Sequence, residues 1–195
     1  MKKLQDFYFH KAKREGFLAR SIFKLEEIDQ KYHLIHPKMS IIELGAAPGS
    51  WLQYCQKKVG PQGRIFAFDL QKIEFSASLQ VLFQKLDATA LLEKDWQENY
   101  PTVDLILSDM APKTSGIKTK DAYDAFLLAE KAYHIACWKL KPGGSLLTKT
   151  FQGEKSKELL MEMKNRFEKA MVVKPKSSRS ESTEIFLLGL KFQNR

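Results

Sequence analysis

Glu43-Leu44-Gly45-Ala46-Ala47-Pro48-Gly49-Ser50-Trp51 decides the reading of the fold. The short apolar run Ile41 to Leu44 reads as a buried strand, and Trp51 to Val59 carries helical periodicity directly after it. A strand that turns through glycines straight into a helix is the opening half of a nucleotide-binding crossover. Glycine lets the backbone approach a ligand closely, and the helix N-terminus presents free N–H groups with a partial positive charge. The spacing is not GxGxxG, Pro48 removes an N–H that a pyrophosphate would use, and no GK[ST] follows. Dinucleotide and triphosphate readings both weaken on those grounds.

Outward from this turn, apolar runs recur at Ile65 to Asp69, Val81 to Leu86, Val103 to Ser108 and Ser145 to Thr150, flanked by Gly, Pro or Asp. Helical patterns lie at Ala19 to Tyr32, Asp121 to Leu140 and Lys155 to Lys169, the second stopped by Pro142-Gly143-Gly144. Alternating strands and helices imply a parallel sheet with right-handed crossovers and helices on both faces. The last runs, Met171 to Val173 and Ile185 to Phe192, are too close in sequence for a helical crossover, so they pair antiparallel. Gly45, Asp69, Asp87 and Asp109 each close a strand and converge on one crevice beyond the carboxyl ends of the sheet. Any one of these acids alone is as well read as a turn or cap residue.

The chain has 195 residues, enough for one α/β core, and no apolar stretch of membrane-spanning length or secretory character. A single soluble domain at 1–195 in the cytoplasm is expected, with a basic helical segment at 1–36 preceding a sheet at 37–195. Cys55 and Cys137 are too few and too separated for a disulfide framework, and the four histidines lack metal-ligand spacing, so no metal is expected. Lys and Arg number 32 against 23 Asp and Glu, a net charge of +9 that suits a polyanionic partner. Lys11, Lys13, Arg14 and Arg20, with Lys2 and Lys3, load the N-terminus among Phe7, Tyr8, Phe9 and Phe17. Lys174, Lys176 and Arg179 form a second basic group. Both are candidate contacts to such a polyanion, although a basic face is as often merely solvated.

The fourth strand ends Ser108-Asp109-Met110-Ala111-Pro112-Lys113-Thr114-Ser115-Gly116, and the fifth reads Leu147-Thr148-Lys149-Thr150-Phe151-Gln152-Gly153. A lysine inside a central strand is costly unless paired, and Asp109 on the neighbouring strand is its natural partner. The two could form a buried ion pair without chemistry. Together with GFLARSIFKLEEI around Lys24, ELGAAPGSW, FDL at Asp69, KPGGSLLTKTFQGE and KPKSSRSESTEIF at Glu184, these segments resemble the FtsJ/RrmJ family of ribose 2′-O-methyltransferases, also called the RlmE family. The resemblance covers nearly the whole chain.

That resemblance implies a Rossmann-like S-adenosylmethionine-dependent methyltransferase fold, with a seven-stranded, mostly parallel sheet whose last strand is antiparallel. It implies a catalytic tetrad of Lys24, Asp109, Lys149 and Glu184. It implies a cofactor site drawn from Gly45, Ala46, Pro48, Gly49, Trp51, Asp69, Asp87 and Asp109, with Asp69 on the ribose and Asp87 on the adenine. From the residues alone, Trp51 is equally well read as core. The expected substrate is a uridine of 23S ribosomal RNA in the large subunit, acted on by a monomer. Lys149 in its neutral form is expected to accept the 2′-hydroxyl proton, its deprotonation favoured by burial and by the like charge of Lys24. Ser50 and Lys113 stand where the family commonly has glycine and asparagine. Alternatives are transfer RNA or another RNA as substrate, a nicotinamide-dependent oxidoreductase, and a catalytically silent RNA-binding or ribosome-assembly module.

Overall fold

The computed structural model describes residues 2–179 and 182–194, with side chains from Phe7 onward, so Lys2 and Lys3 of the basic cluster lie outside the described side chains. The strands are β1 (Ser40–Leu44), β2 (Arg64–Asp69), β3 (Val81–Lys85), β4 (Val103–Ser108), β5 (Leu140–Phe151), β6 (Phe167–Val173) and β7 (Glu184–Phe192). They form one sheet in the order β3-β2-β1-β4-β5-β7-β6, in which β7 runs antiparallel to both of its neighbours. The helices are α1 (Lys2–Arg14), α2 (Ile22–Tyr32), α3 (Ser50–Val59), α4 (Glu93–Asn99), α5 (Lys118–Lys139) and α6 (Glu154–Arg166).

Alternation along the strands loads both faces of the sheet. On β4, Leu105 and Leu107 point into a core shared with Ile22, Leu25 and Trp51 from α2 and α3, while Ile106 points into one shared with Trp96, Ala129 and Leu159 from α4, α5 and α6. Strands buried on both sides read as continuous apolar runs, as Ile65 to Phe68 of β2 and Leu105 to Leu107 of β4 do, whereas Glu43 interrupts the run of β1. Because the expected crossovers place each strand end at the same edge, the loops after β1 to β5 gather there.

Three expectations need correction. Val81 to Leu86 is an edge strand, not a buried one: Leu82 is 51% exposed. Pro142-Gly143-Gly144 lies inside β5, beside a register shift opposite Val103 and Leu105, and α5 already stops at Lys139. Phe167, Glu168 and Lys169 belong to β6 instead of the preceding helix, because the Phe167 ring packs on Phe192 at 5.4 Å across the antiparallel pair.

Candidate active site

At the carboxyl edge of the sheet lies a cavity of about 380 Å³, walled by Gly45, Asp69, Asp87 and Asp109 together with Met110 and Lys113. These four strand-end residues come from β1, β2, β3 and β4, neighbours in the sheet. Asp69 accepts the Ala47 amide at 2.9 Å on one oxygen and the Gln71 amide at 2.7 Å on the other, clamping the glycine turn to the loop after β2. Asp87 accepts from the Thr89 amide at 2.9 Å and hydroxyl at 2.6 Å. Gly45 has φ +77°, and a Cβ there would stand 2.8 Å from the Met110 amide nitrogen. Its glycine is therefore required where the β1 and β4 loops meet.

The other four residues expected at the cofactor site do not line this cavity. Ala46 and Trp51 are buried, and at Gly49, with φ +120°, a Cβ would strike the Phe75 ring at 2.5 Å. Trp51 is a core residue, and the reason is its partners. Its ring lies 5.9 Å from Phe186 of β7, and its Nε1 donates to the Ser21 carbonyl at 2.9 Å. A large ring with its one donor satisfied belongs in a core.

Lys149 is 8% exposed and donates to Asp109 Oδ1 at 2.8 Å and to the Asp109 main-chain carbonyl. Lys24 on α2 is hydrogen-bonded to the Glu184 carboxylate at the start of β7. The register places Lys149 opposite Phe186 and Phe151 opposite Glu184. Paired residues and their i±2 neighbours share a face of a sheet, so Lys149 and Glu184 project to the side covered by α2 and α3. The four charged side chains thus make two ion pairs, one per acid, on adjoining strands. Asp109 also walls the cavity, so Lys149 is held by a residue of that wall without lining the cavity itself.

The two basic segments, separated by about 150 residues in sequence, meet in space. Arg20 donates from its guanidinium to the Ser177 carbonyl at 2.7 Å, and the amides of Lys176 and Ser177 donate to Glu27 at 2.7 and 3.1 Å. Burial first, and then the neighbouring Arg179 charge, hold the Arg20 guanidinium below its usual value, while Glu184 opposes the shift. Lys11 and Lys13 are turned onto the rings of Phe23 and Phe9 at 4.2 and 4.9 Å, and Lys174 donates to the Ser182 carbonyl at 3.0 Å. Arg14 is exposed.

A carboxyl not singled out in the sequence sits beneath the glycine turn. Glu43 on β1 is 1% exposed, and neither oxygen has a hydrogen-bond partner among the described residues. Burial, then the charges of Asp109 and Asp69, push it well above the usual carboxylate range, and the Leu52 amide, which meets neither oxygen in hydrogen-bond geometry, pulls the other way without cancelling them. Only its place as an acid in the middle of a buried strand signals it in sequence. Among the described residues no three His, Cys, Asp or Glu side chains group as metal ligands, and no helix is long and apolar enough to cross a membrane.

Residues 17–192 match the model of the FtsJ-like methyltransferases. Over 191 residues, 97% of either chain, the sequence is 40% identical to ribosomal RNA large subunit methyltransferase E of Syntrophobacter fumaroxidans. Over 188 residues it is 43% identical to the enzyme of that name in Bdellovibrio bacteriovorus, covering 95% of this chain and 96% of the other. A crystal structure described as a ribosomal RNA methyltransferase from Plasmodium falciparum superposes with TM-score 0.75 over 92% of this chain and all of the other, at 24% identity. This last likeness speaks for the fold alone.

Proposed function

Because this chain belongs to the FtsJ-like methyltransferase family, we propose that it methylates a ribose 2′-hydroxyl of large-subunit ribosomal RNA, using S-adenosylmethionine. One observation carries the reading: a nearly buried amine, Lys149 Nζ, is pinned by Asp109, which itself walls a cavity that Gly45, Asp69 and Asp87 complete. The names of the relatives supply the substrate class, and the +9 net charge suits it. The reading treats the chain as one unit, since α2, which supplies Lys24, packs on the sheet that supplies the other three residues. We take it to act as a monomer in the cytoplasm.

The cavity suits this cofactor by its chemistry. Three carboxylates around it favour a cationic nucleoside with ribose hydroxyls to donate and disfavour a dinucleotide pyrophosphate. Asp69 and Asp87 would hold the nucleoside and Asp109 the methionine end. When bound, S-adenosylmethionine supplies an electrophilic methyl carbon on a positively charged sulfur. Activation therefore has to act on the ribose oxygen, a poor nucleophile as a neutral hydroxyl. Lys149 Nζ is the group that takes the 2′-hydroxyl proton. The Asp109 carboxylate and carbonyl fix that nitrogen in direction, and the Glu184 carboxylate does the same for Lys24. Holding the acceptor in place is the larger share of the work, since orientation accounts for about 7–11 kcal/mol in well-aligned systems.

The test is labelled-methyl transfer to undermethylated large ribosomal subunits, followed by mass mapping of the product nucleoside. A 2′-O-methylated nucleoside is expected. Label on a base, or none with a folded protein that binds the cofactor, overturns the reading.

A further inference from the structure

A second cavity, about 710 Å³, opens on the same edge of the sheet between the start of α5, the end of β5, the start of α6 and the residues leading into β7. The order of strands puts it across β4 and β5 from the carboxylate-walled cavity, so the Asp109–Lys149 pair stands between the two. Its wall includes Phe151, two residues beyond Lys149, and Ser182 and Thr183, which lead into Glu184. Tyr123, 50% exposed on α5, also lines it.

The chemistry of this cleft suits a nucleobase better than a phosphate. Tyr123 and Phe151 offer rings, and the charged groups on the wall, Lys118 and Lys155 against Asp121 and Glu154, balance, so no net positive charge is there to select a phosphate. Asp121 is committed to the loop after β4, accepting the Ser115 amide and hydroxyl at 2.7 Å each. Gly153 lies on the wall with extended backbone, and a Cβ added there would meet nothing within 4 Å. The volume exceeds that of the cofactor cavity and takes one unstacked nucleotide.

We propose that this cleft receives the base of the target nucleotide, swung out of its stack and laid against the Tyr123 ring, so that its own ribose faces Lys149. The substrate is then a nucleotide that can leave its stack, in a loop, bulge or locally opened helix, and not one held in a regular duplex. The proposal rests on the ribose-methylation reading above, and it makes Tyr123 a substrate-binding residue. Enzymes acting on a nucleotide buried in a stack meet this demand by extruding it, and proteins hold unstacked bases on aromatic rings.

Two variants attack the cleft from opposite directions. Tyr123→Ala removes the stacking ring, and Gly153→Leu fills the space with a side chain that the backbone accommodates. Both are expected to lower kcat/KM for undermethylated large subunits by about tenfold to a hundredfold, the range for removing one base stack. Cofactor affinity by calorimetry and the melting transition should stay at wild-type values, and Tyr123→Phe should restore turnover. Wild-type turnover in both folded variants overturns the proposal, as does a Tyr123→Phe enzyme as impaired as Tyr123→Ala. A second readout does not depend on turnover: a short single-stranded RNA carrying 2-aminopurine should have its fluorescence quenched by the wild-type protein and not by Tyr123→Ala. Quenching without methyl transfer would sink the ribose-methylation reading and leave the cleft assignment standing. Transfer with quenching unchanged in Tyr123→Ala would do the reverse.

Discussion

Trp51 Nε1 donates to the Ser21 carbonyl at 2.9 Å, and through that bond the helix opening after the glycine turn grips the helix that carries Lys24. The Trp51 ring also rests on Phe186, the residue opposite Lys149 in the sheet. A residue expected at the cofactor is thus a brace between the two lysines. Trp51→Phe keeps most of the packing and leaves a carbonyl unpaired, so stability should drop by about 1–2 kcal/mol in urea denaturation. Turnover should fall while cofactor affinity holds. Weakened cofactor binding at unchanged turnover would instead return Trp51 to the cavity.

Lys149→Met preserves the length of the stem and removes the only proton acceptor assigned to the reaction. Single-turnover methyl transfer should fall by about 10²–10⁴, the usual worth of a positioned general base. Binding of S-adenosylmethionine should change little, because Asp69 and Asp87 keep their places. A folded Lys149→Met enzyme with near-normal single-turnover rates would leave Lys149 as a structural partner of Asp109.

How much of this was legible in the sequence depends on distance along the chain. The strand ends Gly45, Asp69, Asp87 and Asp109 were, because period and breakers locate strands and a parallel sheet sends their ends to one edge. The edge position of β3 was not, since a strand's neighbours are set by topology and Leu82 looks like any core leucine. α4 was missed as well: Glu93 to Asn99 has one fully buried apolar residue, Trp96, and a single residue has no period. The role of Trp51 depends on Ser21 and Phe186, 30 residues before and 135 after it. The cleft beside Tyr123 joins α5 to residues 151–156 and 182–183, a juxtaposition no local pattern announces.

The meeting of Arg20 with Arg179 predicts a salt effect. Two like charges held together, one of them partly buried, are best relieved by an anion. Replacing both with glutamine should weaken binding to ribosomal RNA and reduce the slope of log K against log salt by about 1–2, one for each phosphate that is no longer neutralised. The Lys11 and Lys13 ammonium groups lie on their own aromatic rings. Their double replacement should change the slope less. Equal slopes in all three proteins would move the RNA surface elsewhere.

Glu43 gives the pH dependence its sign. Its carboxyl is raised in the folded protein by burial and by the charges of Asp109 and Asp69, so the native state holds a proton that the unfolded chain releases above about pH 4.3. Where the native state binds the extra proton, stability falls with rising pH, by up to about 1.4 kcal/mol per unit for one group. The stabilisation is complete below the unfolded value and is lost as pH climbs toward the folded one. Glu43→Gln has nearly the same shape as the protonated acid and nothing to release. Urea midpoints compared at about pH 6 and about pH 9 should therefore fall less steeply for Glu43→Gln than for wild type. Parallel slopes would mean that Glu43 is ionised under the glycine turn. That result would require a cation beside it that the surrounding Leu52, Asp69 and Asp109 do not supply.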